Sequence, residues 1–464
     1  MNTLRKMWSL FGVAVRGSET EFTTGSIRKA IFLLAVPMIL EMFMESLFAL
    51  VDIFYVSKVS VNAMATVGLT EAVLMIVYSV AIGFSLGVTA MVARRVGEKK
   101  PEEASRVATQ TLYVGIALAL IIGIPGVVFA PDMLRLMGGE EGLVQEGQDY
   151  TRIIFGGNVT VMLLFLLNAV FRGAGSAAAA MRVLWLANGL NIVLDPIFIF
   201  GLGPIPAMGV TGAAVATTIG RGVGVIFQLY ILLKGVGILK VVRRSWPLDF
   251  GIIARLLNLS VGGIGQFLVS SASWLFLVRI ISEFGSEAVA GYTIAFRVIV
   301  FTILPSWGLS NAAATLVGQG LGSGDPDRAE KSVWLTARYN AYFMATVSVL
   351  FFVLASPIIG LFTDDPLVKP DAMLGLRIIC ISYIFWGFGM VIGQAFNGAG
   401  DTRTPTFINF VSSWMFELPC AWFFGVTLGF GVPGVFSAVI VSGFVYGGLS
   451  ILLFRRGKWK KVTV

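Results

Sequence analysis

Residues 171–175 read FRGAG, and residues 396–400 read FNGAG, 225 positions further on. One pair of short, small-residue motifs would decide nothing. The same shift, without a gap, also sets Ala63 on Ala288, Ala65 on Ala290, Gly83 on Gly308, Gly97 on Gly322, Pro101 on Pro326 and Ala104 on Ala329. Later, GVTG at Gly209 matches GVPG at Gly431 with a gap of three. A constant shift held from residue 63 to residue 175 marks an internal duplication, each unit being half of the chain.

The repeated unit is a membrane unit. Of 464 residues, 56% are hydrophobic and 13% charged, with a mean hydropathy of +0.86. A soluble protein of this length carries about 25% charged residues. Apolar runs of roughly 20 residues, the length a spanning helix needs, recur along the whole chain. Twelve are expected, near 31–56, 65–92, 107–130, 149–171, 179–202, 209–233, 254–282, 289–318, 334–362, 373–396, 405–428 and 433–454. The fold class is therefore an all-α polytopic membrane protein with twelve transmembrane helices in two parallel six-helix repeats. Six is even, so both halves share one topology, with a binding site between or within them near the midplane. This is transporter architecture.

The expected organisation is an interfacial N-terminal segment (1–25), an N-lobe (26–233), a linker (234–252), a C-lobe (253–455) and a basic tail (456–464). The first segment, MNTLRKMWSLFGVAVRG, reads as an amphipathic stretch on the inner leaflet, because no small-residue cleavage site follows it. The net charge of +8 sits in short loops and the tail: Arg94, Arg95, Lys99 and Lys100, then Lys240, Arg243 and Arg244, then Arg455 to Lys461. Positive loops stay inside, so both termini are expected in the cytoplasm of a cell-membrane protein, and the charge does not indicate nucleic acid. There is no histidine, and Cys380 and Cys420 lack metal-site spacing. No cofactor or resident metal is expected.

Polar groups within the spans carry the function. Glu41, Glu45 and Asp52 lie at i, i+4 and i+11, within about 40° of each other on one helical stripe, with Pro37 a turn earlier. The glutamates either face a cavity or pair with a basic residue such as Arg297; Asp52 either serves function or snorkels at a helix end. In the fifth span, NGLNIVLDPIFIFGLG (188–203) puts Asn191 and Asp195 one turn apart on a shared face. Pro196 lacks an N–H, which frees the Ile192 carbonyl and is expected to kink and interrupt the helix. Three oxygens then converge where Na⁺ could bind or where Asp195 could carry H⁺. The positions 225 beyond Asp52 and Asp195 are Leu277 and Cys420, so the acidic pair belongs to the first half alone. Glu417 is the main acid of the later spans, either a second site or a partner of Arg377.

These residues, with AVPMILEMFMESLFALVDIFYVS (35–57), FRGAGSA (171–177) and NIVLDPIFIFGLGPIPAMGVTG (191–212), resemble the multidrug and toxic compound extrusion (MATE) transporters over about residues 25 to 455, the DinF-like and archaeal branches above all. The resemblance implies an antiporter that exports small amphipathic, often cationic compounds in exchange for H⁺ or Na⁺ as coupling ion, and since the fold needs no partner it is expected to function as a monomer. It implies a cation or proton site at Asp52, Asn191, Asp195, Tyr150 and Thr217, with Thr211 and Thr218 competing for the last place. It implies a substrate cavity near Asn168 and Pro37; Glu41, Glu45 and Pro196 are expected to border that cavity too, the glutamates adding acidity to span one beyond the family's usual aspartate. The chain departs from the family's other branch, for LSVGGIGQFLVSSASWLF (259–276) carries no acid in span seven.

Two rivals are weaker. A flippase of lipid-linked oligosaccharide or lipid would line its cavity with basic residues for pyrophosphate, whereas the cavity candidates here are mostly acidic, Arg279 and Arg297 excepted. An enzyme is not expected: GFSLG (83–87) matches a nucleophile elbow, but lies within a span and has no histidine to act as base.

Overall fold

The computed structural model describes residues 2–17, 21–235, 237 and 239–464, so parts of the expected N-terminal segment and linker lie outside the described residues. The first lobe comprises α2 (Ile27–Val56), α3 (Val61–Gly97), α4 (Pro101–Val128), the short α5 (Ala130–Leu136), α6 (Glu141–Gly156), α7 (Asn158–Gly173), α8 (Ala177–Phe200) and α9 (Val210–Lys234), preceded by the amphipathic α1 (Asn2–Arg16). The second comprises α10 (Phe250–Ile281), α11 (Ser286–Gly322), α12 (Pro326–Gly360), α13 (Val368–Ile379), α14 (Tyr383–Ala399), α15 (Arg403–Phe410), α16 (Leu418–Trp422) and α17 (Gly431–Arg455). The fourth crossing is α6 and α7 together, bent by 41°. The tenth joins α13 to α14, and the eleventh runs through α15 and α16 with π-helical turns at Val411–Glu417 and Phe423–Thr427. That makes twelve crossings in two lobes.

The duplication is visible helix by helix. α3 and α11 begin and end 225 residues apart, and α4 and α12 each start on the proline of the repeat. Proline suits a first helical position because the N–H it lacks would have no partner there. Several helix starts are also capped: Ser60 Oγ accepts from Ala63 N–H, and Asp249 from the N–H groups of Gly251 and Ile252.

The repeat glycines sit where the lobes meet. A Cβ on Gly308 would lie 2.9 Å from Ile39 N, and one on Gly83 would strike Ile264, the residue 225 beyond Ile39. Gly97 and Gly322, equivalent in the repeat, touch each other's helices: a Cβ on Gly322 would lie 3.0 Å from Gly97 Cα. Two copies related by a two-fold axis must make such reciprocal contacts, and without side chains the backbones can approach closely. All of these contacts lie toward the C-terminal ends of α3 and α11, the side that carries both termini. A hydrogen bond that joins the lobes lies there too, from Thr315 Oγ1 to the Arg172 carbonyl (3.0 Å), and Arg328 Nε donates to the Phe22 carbonyl of the N-terminal segment (3.2 Å). The lobes are thus closed on the terminal side.

One expectation changes. α8 runs unbroken from Ala177 to Phe200 through Pro196, so the fifth span is not interrupted. Proline is accommodated within membrane helices when neighbours restrain the backbone, and α8 packs on α2 and α9. The N-terminal helix also joins the core, Ala14 being buried in one cluster with Ala30, Leu34 and Leu316. The basic tail is folded. Gly400 ends α14 with φ +90°, and Val464 packs against it. Trp459 is fully buried, stacked on Phe454 at 4.7 Å, while Arg94 and Arg95 of the first lobe donate to the Val462 and Val464 carbonyls, the latter at 3.2 Å.

Candidate functional site

The structure has two polar centres, one within the first lobe and one between the lobes. The first is built on α8 and α9. Asn191 and Asp195, one turn apart, face the same way and are both buried. With both ends of its amide satisfied, Asn191 donates from Nδ2 to Asp195 Oδ2 at 2.8 Å and accepts at Oδ1 from the Thr217 N–H (2.9 Å) and hydroxyl (3.0 Å). Among the three candidate threonines, Thr217 alone makes this contact; Thr218 packs instead over Gly157 at the α6–α7 bend. Asp52 of α2 is within electrostatic range of Asp195, and one of its buried oxygens, Oδ1, has no hydrogen-bond partner among the described residues. Tyr150 of α6 is buried close enough to feel Asp52. The five residues expected at a cation site therefore come from four spans into one neighbourhood.

The second centre is a cavity of about 240 Å³ between the lobes. The first lobe lines it with Glu41, Glu45, Asn168, Arg172 and Arg221, while the second contributes neutral groups such as Asn311, Gln394 and Asn397. Glu41 is 2% exposed, and its Oε1 accepts from Arg172 Nη1 at 2.9 Å and from Asn168 Nδ2 at 3.2 Å. Asn168 Oδ1 in turn accepts from Gln228 Nε2 at 2.8 Å. Asn188 Nδ2 donates to Glu45 Oε2 at 2.8 Å. A buried ion pair of this kind is costly unless its remaining atoms are satisfied, and Glu41 Oε2 has no hydrogen-bond partner among the described residues.

Of the expected cavity residues, Glu41, Glu45 and Asn168 line this space, and Pro37 and Pro196 do not. Pro37 is buried beside Met38, on the part of α2 that meets Gly308 at the closed side, and Pro196 lies outside the lining on the unbroken α8. The basic residues were misplaced as well. Arg279 and Arg297 are exposed, and Arg279 bonds Ser282. Glu41 pairs with Arg172, not Arg297. Glu417 accepts from Ser442 Oγ at 3.1 Å, while Arg377 donates to the Phe352 carbonyl, so those two are not partners. Arg172, Arg221 and Glu71 were missed, the last on α3 within electrostatic range of Asp52. Arg172 sits inside FRGAG itself, and Arg221 is one turn beyond Thr217 on the same helical face. Arg221 links the two centres, lining the cavity while acting on Asp52 and Tyr150.

Two duplicated six-span lobes, closed on one side around a polar cavity, define a membrane transporter rather than an enzyme. The chain belongs to the MatE family, whose model matches twice, at residues 37–197 and 263–423, the second match beginning and ending 226 residues after the first. It is 29% identical to a probable multidrug resistance protein NorM of Thermotoga maritima, over 94% of each chain. Among solved structures it resembles a multidrug resistance MATE family transporter of the MOP superfamily in an outward-facing conformation, with a TM-score of 0.88 and 27% identity over 95% of this chain and 98% of the other. It also resembles a MOP superfamily transporter of Pyrococcus furiosus described by the reversed polarity of its binding pocket, with a TM-score of 0.87 and 26% identity over 95% and 98%.

Proposed function

We propose that this transporter is a multidrug efflux antiporter. H⁺ or Na⁺ entering through the first lobe drives small amphipathic, often cationic solutes out by alternating access. The observation that carries this reading is the hydrogen-bonded set Asp195–Asn191–Thr217 with the unpartnered Asp52 oxygen beside it. It is a ready acceptor of one small cation or proton in a dry interior. Both termini are taken as cytoplasmic, which makes the closed side the inner one and this conformation the one that releases cargo outside. Loading the Asp52–Asp195 pair removes negative charge next to Arg221, whose guanidinium reaches the cavity. The ion and the solute are thereby coupled through one side chain rather than through a broken helix. Each acts only through its different affinity for the two conformations. The relatives named for multidrug resistance support the substrate class.

The test is export of a fluorescent cation from proteoliposomes under a separate H⁺ or Na⁺ gradient, for the native chain and Asp195→Asn. Export that one gradient drives and the substitution abolishes is expected. Full export by Asp195→Asn would remove the site assignment. Arg172 and Arg221 in the lining favour a second reading, flipping of lipid-linked oligosaccharide or lipid; it predicts no solute export under either gradient and movement of a labelled lipid instead.

A further inference from the structure

Glu417 is the sole acid of span eleven, and exchange through the first lobe makes no use of it. It lies between Arg403, where the span starts, and Thr427, where it ends, well inside the membrane. An ionisable group at that depth is costly and marks function more often than packing. Glu417 is partly buried and accepts from Ser442 Oγ of α17 at 3.1 Å and from Ser413 one turn earlier. From α11, Tyr292 comes within electrostatic range, with Trp274 of α10 beside it. None of these neighbours is a cation. No arginine or lysine acts on Glu417 among the described residues, and Arg279 and Arg377 are bonded elsewhere.

The internal repeat tells what position this is. Val411–Glu417 is a π-helical turn, whose i→i+5 ladder holds one residue more than an α-helical turn. The FxGAG motifs before it stand 225 residues apart; with the extra residue the spacing becomes 226, which is also that of the two family matches. The residue 226 beyond Asn191 is Glu417. Contacts agree. In the first lobe Gly220 of α9 backs onto Asn191, a Cβ on that glycine lying 3.2 Å from Asn191 Cβ. Ser442 is the counterpart of Gly220 at the spacing of GVTG and GVPG, and it is Ser442 that bonds Glu417. The second lobe thus holds a carboxylate where the first holds its amide, while Asp195 falls on Ala421 at the same spacing.

Going beyond exchange through the first lobe, we propose that the second lobe carries a proton site of its own at Glu417, loaded and emptied in each transport cycle. A hydroxyl both donates and accepts, so Ser442 can bond the carboxyl in its charged and its neutral form, as uptake and return of a proton require. Both serines turn their protons toward the carboxylate rather than lone pairs toward a metal cation, which favours H⁺ over Na⁺ here whichever ion the first lobe takes.

The test is an infrared pH titration of the purified full-length chain, reading the C=O stretch of protonated carboxyls in the native protein, in Asp52→Asn with Asp195→Asn, and in Glu417→Gln. A band that titrates, survives loss of the first lobe's acids and is missing from Glu417→Gln is expected. A merely structural glutamate would keep one charge state, and identical titrations of the native chain and Glu417→Gln would overturn the proposal. Labelling of the native chain by dicyclohexylcarbodiimide, which attacks protonated carboxyls in apolar surroundings, needs no variant to fold. Mass spectrometry should find Glu417 modified at low pH and spared at high pH; equal modification at both, or none at either, would also overturn it. In proteoliposomes Glu417→Gln should lose one step from the pH profile of fluorescent-cation export, and an unchanged profile would count against the site. The titration requires no transport, so the two readings fail separately. A Glu417 band without export sinks the efflux reading alone, and export without that band sinks this inference alone.

Discussion

Gly97→Ala is a one-carbon change aimed at the closed side of the molecule. An ideal Cβ at residue 97 would sit 2.8 Å from Gln319 C and 2.9 Å from Gln319 Cα, whereas ordinary contact starts at 3.4 Å. The obstacle is the backbone of α11, its Gln319 carbonyl oxygen closest of all, rather than the tip of a flexible side chain, so α3 and α11 must move apart. Overpacking of this kind costs about 1–3 kcal/mol. The cost falls only on the conformation in which the two helices touch, so the ratio of closed to open on this side should drop about 5- to 150-fold. Spin labels at Glu102→Cys and Ser323→Cys, both exposed, in a Cys380→Ser, Cys420→Ser background would report the separation by pulsed electron resonance. A longer-distance population should grow in Gly97→Ala. Gly68→Ala, whose Cβ would meet nothing within 4 Å, should leave the distribution as it is. Distances and thermal stability identical to the native chain in Gly97→Ala would refute the claim that this contact holds the side shut.

Thr217→Val removes the hydroxyl that donates to Asn191 and should weaken coupling-ion binding about ten-fold, whereas Thr218→Val, away from that cluster, should not; isothermal titration of each variant separates them. Arg172→Gln leaves Glu41 buried without its counter-charge and should cost about 3–5 kcal/mol. The double variant with Glu41→Gln should recover most of it in thermal denaturation; no recovery would mean that the pair is not coupled. Trp459→Ala empties a fully buried site against Phe454 and should cost about 3–5 kcal/mol, read as a lower melting temperature in detergent.

The fold was legible because its signal is redundant. Every span announces itself by length and apolarity, and the repeat by glycines that the lobes' close approach demands. The first polar centre was legible for a different reason: Asn191 and Asp195 are one turn apart, and helical spacing alone puts them on one face. The cavity was only half legible. Sequence gives the angle between residues on one helix but not the rotation of that helix against its neighbours, so Arg279 and Arg297 were placed inside while Arg221, one turn from Thr217, went unread. Pro196 misled for a related reason. Local chemistry predicts a lost hydrogen bond at a proline, but whether the helix breaks depends on what holds it from either side, and α2 and α9 hold this one.

The folded tail has a consequence for how far the molecule can move. It leaves the second lobe at Arg456, and its far end is held by the arginines that close α3 of the first lobe. Eight residue-to-residue steps, fully drawn out, reach at most about 28 Å, and stacking of Trp459 on Phe454 takes up part of that length. The chain thus ties its own two halves together with a cord of fixed length. While Arg94 and Arg95 keep their grip, the gap on that side can widen only by as much slack as the cord can pay out, and past that point opening and letting go become the same event.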